Sequence, residues 1–204
     1  PTIPTTSVYR SSITAKYDSL NYWERVSTII DSGQNRIGIG HLRFASSGAN
    51  NIPNPHPWMF YHNDQPFSLV HNGTINKSDL FDIITNNGSD LSWLDQNIPN
   101  TFNGLPWSSS EGWSSVVDSN LLLLLIMQIY VENENLYEAI KESLTKLLNL
   151  GTNANQINII MSNGLELYIF GGSSGLSIME TLTHFTVMTQ PKVYNEFENY
   201  VWSE

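Results

Sequence analysis

"LVHNGTIN", residues 69–76, decides how this chain is read. An apolar, strand-like run stops abruptly at His71-Asn72-Gly73, and Asn-Gly is the strongest short signal for a tight turn. The same pair permits a second reading. An Asn side-chain amide and a Gly backbone N–H set together are two donors suited to a developing negative charge. Upstream, "WMFYHNDQPFSLVHNG" reads as two strands joined at Asn63-Asp64. Downstream, "KSDLFDIITN" reads as a short helix capped by Ser78.

The bulk composition narrows the choice. With 204 residues the chain is one domain, 1–204, or a large part of a bigger one. Its 40% hydrophobic and 11% aromatic content supports a packed core and argues against wholesale disorder. A formal charge of −10 with nine Lys and Arg lacks the basic footprint of a nucleic-acid binder. It disfavours an anionic membrane surface equally, and the longest apolar run, Leu121 to Met127, is far short of a span. The chain contains no cysteine, so it supplies no disulfide, thiolate ligand or cysteine nucleophile. Small ligands remain as the open class.

Along the rest of the chain, "PTIPTTS" reads as an extended arm. "DSLNYWERVSTIID" has helical spacing at Leu20, Trp23, Val26 and Ile30, with Asp18 or Ser19 as cap. "RIGIGHLRFA" alternates as a strand, and "SSGANNIPNPHP" is a proline-rich loop. Residues 87–115 read as one long loop carrying three isolated Trp. "DSNLLLLLIMQIYVE" is apolar nearly all round and predicts a buried helix capped by Asp118 or Ser119. "NLYEAIKESLTKLLNL" is amphipathic and ends at Gly151. A hairpin turning at Asn163-Gly164 and a strand in "HFTVMTQP" complete an α+β order of antiparallel sheets with helices outside.

Four polar features interrupt apolar surroundings: Arg43, Ser46-Ser47, Asn72-Gly73 and Asp118. Together they suit a zwitterion. A guanidinium fork fits a carboxylate, an Asp accepts an ammonium, and short hydroxyls secure the remaining polar atoms. Each has an ordinary structural reading as well: a surface ion pair for Arg43, a helix cap for Asp118, a plain turn for Asn72-Gly73. His56 and His71 have no metal-ligand spacing and read as hydrogen-bonded structural histidines; no metal or cofactor is expected.

In this order, "GHLRFASSGANNIPNPHPWMF", "FSLVHNGTINKSDL" and "VVDSNLLLLLI" resemble the glutaminase domain of class II glutamine amidotransferases, which are N-terminal-nucleophile hydrolases. The resemblance runs from about Val8 to Gln190 and is nearest the small stand-alone branch. It implies an αββα sandwich of two antiparallel sheets between helical layers. It implies that Arg43 clamps the substrate α-carboxylate with support from Ser46 or Ser47, and that Asp118 receives the α-ammonium. Asn72 and Gly73 would form the oxyanion hole, while His56 and His71 hold the loop and the turn. The substrate implied is glutamine or a γ-glutamyl compound, turned over through a γ-glutamyl-enzyme intermediate. A reducing cytoplasm suits that chemistry.

The chain departs from the family pattern in two ways. The family's nucleophile is an N-terminal cysteine, so the resemblance implies that the nucleophile strand and the one after it lie outside these 204 residues, in a longer or companion polypeptide. A synthetase or peptidase partner is a further expectation. The family's Asp-Ser-Glu reads Asp118-Ser119-Asn120 here, one negative charge fewer. Two alternatives stand beside it. One is a non-catalytic amino-acid-binding or regulatory module that keeps the pocket; the other is a hydrolase using Pro1, Thr2, Thr5, Thr6 or Ser7.

Overall fold

The computed structural model describes residues 6–11, 13–14, 16–31, 33, 37–42, 56–172, 176–182, 185–189 and 202–203. The chain is α+β, with two antiparallel sheets and six α-helices among these residues. The first sheet follows chain order: β1 (Trp58–His62), β2 (Gln65–Asn72), β3 (Asn158–Ser162) and β4 (Leu167–Phe170). Asn63 and Asp64, at φ 50° and 63°, close the β1–β2 hairpin in the left-handed conformation that two-residue turns require. Registers Trp58↔Leu69 and Leu69↔Met161 put Trp58, Phe60, Phe67, Leu69, His71, Ile159 and Met161 on one face. Apart from His71, these residues form or pack on the main apolar core.

Helices cover that face. Between β2 and β3 run α2 (Lys77–Thr85), α3 (Ser92–Gln96), α4 (Ser110–Ser115), α5 (Asp118–Asn133) and α6 (Leu136–Asn149). Helix α5 packs on β1 and β2 and is flanked by α2 and α6. Contact on all sides explains its lack of an amphipathic stripe: every residue from Leu121 to Met127 is buried. At ~1.5–3 kcal/mol per large apolar side chain, this run is the main apolar contribution of any single element. Helix α6 needs only one apolar face and buries Leu136, Ile140, Leu144 and Leu147 along it.

Several expectations are corrected. Residues 87–115 are not one loop, because they contain α3 and α4. Trp93 on α3 donates its indole N–H to the Leu124 carbonyl at 3.0 Å, and Trp107 is buried. The cap of α2 is Asn76, not Ser78: its side chain accepts the Ser78 N–H at 3.0 Å. Neither Asp118 nor Ser119 caps α5, since Val117 holds that position without a side-chain bond and both polar residues lie inside the first turn. Helix α1 (Ser19–Asp31) forms as expected but buries none of its residues, leaving Trp23 62% exposed. Among the described residues, 37–42 pair with no strand, and Gly38 and Gly40 weaken strand formation there.

The second sheet has the order β6-β5-β7, from β5 (Ser177–Glu180), β6 (Phe185–Met188) and β7 (Trp202–Ser203). Only β6 was expected from sequence. No helix among the described residues is long and apolar enough to cross a membrane.

Candidate functional site

The C-terminal end of β2 is where the predicted residues meet. Asn72 is the last residue of the strand and is exposed, paired in register with Asn158 of β3. The Asn158 side-chain amide donates to the Asn72 carbonyl at 3.1 Å and to the Asn155 carbonyl at 2.9 Å. Its oxygen accepts the Gly172 N–H at 2.9 Å. One amide thus joins the ends of two strands to the 3-10 turn Ala154–Gln156 and to the segment after β4.

Gly73 follows with φ 147°. A Cβ at this position would overlap the Gln156 carbonyl and stand 2.8 Å from its Cα. The glycine is required by close approach of backbone to backbone, not by a two-residue hairpin turn. Gln156 holds the turn twice more: its side-chain oxygen accepts the Thr74 N–H at 2.9 Å, and its carbonyl accepts the His71 ring N–H from Nε2 at 2.8 Å.

That last bond fixes the histidine. With the proton on Nε2, neutral His71 has a bare Nδ1, which accepts the Ser119 hydroxyl at 2.9 Å. Burial pushes the His71 pKa below its ordinary 6.5, opposed by the bond to the Gln156 carbonyl and by the negative charge of Asp118. Both His71 and Ser119 are 3% exposed. The pair therefore ties β2 to α5 and presents no nucleophile to solvent.

Asp118 closes the arrangement. Its Oδ2 accepts the Ile75 N–H at 2.8 Å and its Oδ1 accepts the Ser119 N–H at 2.8 Å. A carboxylate has about four lone-pair sites, so further donors can be received. Asp118 is half-buried and Gly73 likewise, while Asn72 faces solvent. Asn120 points its oxygen elsewhere, accepting the Asn100 N–H at 2.8 Å. Asn120 thus anchors the chain at Asn100.

The structure brings together Asn72, Gly73, His71 and Asp118. The His56 ring stands 4.1 Å from that of His41 and 6.2 Å from that of Trp58. Arg43, Ser46 and Ser47 lie outside the described residues. Sequence reasoning missed Gln156, Asn158 and Lys77. A cation opening α2 beside a Trp-bearing loop was the available signal for Lys77; Gln156 and Asn158 bond mainly to main-chain groups distant in sequence, which leave no pattern to read.

A cleft of about 400 Å³ opens nearby, between β1 and residues 97–101, with Asn120 and Leu124 of α5 in its wall. None of the predicted site residues among the described ones lines it. Among the described residues no group of three or more His, Asp or Glu side chains is placed to hold a metal ion. No known family, curated protein or solved structure matches the chain.

Proposed function

We propose that this chain is a glutaminase-type domain of the class II glutamine amidotransferases. It would act on the side-chain amide of glutamine or a γ-glutamyl compound, within an N-terminal-nucleophile αββα sandwich. One observation carries the reading: Asp118 and the Asn72-Gly73 turn, far apart in sequence, are joined directly through the Ile75 N–H. An ammonium acceptor and a pair of amide donors are thereby held on one small frame. A helical layer over one face of an antiparallel sheet is compatible with the proposed sandwich.

In this reading the nucleophile comes from outside residues 1–204, since the chain has no cysteine. A thiol, its proton taken by the adjacent α-amine, attacks the amide carbon. Asn72 and Gly73 donate to the oxyanion. The C–N bond then breaks, the leaving ammonia or amine takes the proton, and water hydrolyses the γ-glutamyl thioester to glutamate. Arg43 holds the α-carboxylate with Ser46 or Ser47, and Asp118 the α-ammonium. His71 keeps the turn in place, His56 serves the proline-rich loop, and a companion, synthetase or peptidase polypeptide is the proposed partner.

The test is glutamate release by the natural full-length protein supplied with glutamine or γ-glutamyl dipeptides. Asn72→Ala is expected to lower kcat by about 10²–10³. Retention of activity within a few-fold overturns the oxyanion assignment. The second reading, a binding module, is favoured by the lack of cysteine in these 204 residues. Ligand binding without glutamate release would select it.

A further inference from the structure

Lys77 is the first residue of α2, where the positive end of the helix dipole disfavours a cation. It is also partly buried, which draws its pKa below the ordinary 10.5, against the opposing charge of Asp118. A side chain that runs against two local preferences needs compensation from its surroundings. Three carbonyls supply it. The Lys77 ammonium donates to Trp113 O at 2.8 Å, Val116 O at 3.0 Å and Ser114 O at 3.4 Å. It also stands 5.3 Å from the centre of the Trp113 ring.

These acceptors belong to the last turn of α4 and the residues leading into α5, so the ammonium meets the negative end of one helix from the start of another. Lys77 lies four positions after Gly73, and Val116 lies two before Asp118. The two short segments are therefore joined twice: Asp118 accepts from Ile75, and Lys77 donates to residues 113–116.

We infer that Lys77 is a positioning residue that latches the α4–α5 junction to the turn, fixing Asp118 relative to Asn72 and Gly73 for the α-ammonium of an amino-acid substrate. The inference rests on the glutaminase reading for its substrate and on the hydrogen bonds for its geometry. Lys77 touches no substrate in this scheme. Its removal loosens an acceptor used in both ground and transition states, so the loss falls on KM.

The experiment compares Lys77→Met, which keeps most of the apolar stem, with Lys77→Arg, which keeps the charge, in the full-length protein. For Lys77→Met, KM for glutamine is expected to rise about tenfold or more, with kcat changed less than about threefold. Lys77→Arg is expected to recover most of the loss. Hydrogen exchange at the Ile75 amide should speed up in Lys77→Met and stay near wild type in Lys77→Arg. If Lys77→Met does not fold, Lys77→Gln carries the same comparison. A folded variant lacking the charge, with KM within about twofold of wild type or an Ile75 amide as protected as before, overturns the latch. A wild-type protein that binds and releases nothing from γ-glutamyl compounds instead overturns the glutaminase reading, and the substrate role of Lys77 with it.

Discussion

Asp118 accepts the backbone N–H of Ile75 at 2.8 Å across 43 positions of sequence. That bond gives the carboxylate a structural task, which can be separated by mutation from the ammonium-accepting role proposed for it. Asp118→Ala leaves the Ile75 N–H without its acceptor and is expected to cost about 1–3 kcal/mol in urea unfolding. Asp118→Asn keeps an acceptor oxygen for the Ile75 N–H but loses the one for the Ser119 N–H, and is expected to cost about 1 kcal/mol. If Asp118 receives an ammonium, Asn at this position lowers affinity for glutamine far more than it lowers stability. Equal effects on both would count against the assignment.

Gly73→Ala drives a methyl group into the Gln156 backbone from a φ of 147°. The neighbour is main chain, its carbonyl bound to His71 while the side chain of the same residue holds Thr74, so it cannot yield cheaply. A loss of about 2 kcal/mol or more is expected. A thermal midpoint unchanged from wild type would show that this approach is looser than described.

His71 gives a pH dependence with a definite sign. Its folded-state pKa lies below 6.5, chiefly through burial. Above that pH both folded and unfolded states hold a neutral ring, and the residue contributes no slope. As pH falls through about 6.5, the unfolded chain takes up a proton that the folded one refuses, and stability drops by at most about 1.4 kcal/mol per unit from this group. Urea unfolding at about pH 7.5 and about pH 5 should show a smaller difference for His71→Gln than for wild type. An identical difference in both proteins would remove His71 as the source.

The correction at α2 is directly measurable. Asn76 accepts the Ser78 N–H and donates to Asp79 at 3.1 Å, so Asn76→Ala is expected to cost about 1 kcal/mol. Ser78→Ala should stay within about 0.5 kcal/mol of wild type. The reverse order would restore Ser78 as the cap.

How much of this was legible beforehand follows element length and the type of group doing the work. The β1–β2 hairpin was readable because Asn63-Asp64 is a turn signal flanked by apolar runs on both sides. Helices α5 and α6 are long enough for their apolar pattern to show. Helices α3 and α4, of 5 and 6 residues, are shorter than two turns and carry no period to detect. Strand β5, of four residues, was equally hidden.

At the site, Asn72-Gly73 and Asp118 stood out as polar features in apolar settings, and His71 as a hydrogen-bonded structural histidine. Gln156 did not, because its carbonyl is common to every residue type. The α1 spacing was right for a helix, and its exposed face shows that periodicity reports a face and not what covers it. Arg43, Ser46 and Ser47 fall outside the described residues, so the carboxylate end of the proposed pocket rests on the resemblance alone.

The double hold of Gln156 on the turn, with its carbonyl 85 positions from His71, sets an order of assembly. On a ribosome the β1–β2 hairpin can pair as soon as it emerges, because its contacts are local. The bend that follows has to wait for the helices and then for the third strand to be synthesised before its clasp exists. A nascent polypeptide arrested before residue 150 would carry the hairpin without its clasped bend, so the geometry around Asn72 and Gly73 is completed late in synthesis.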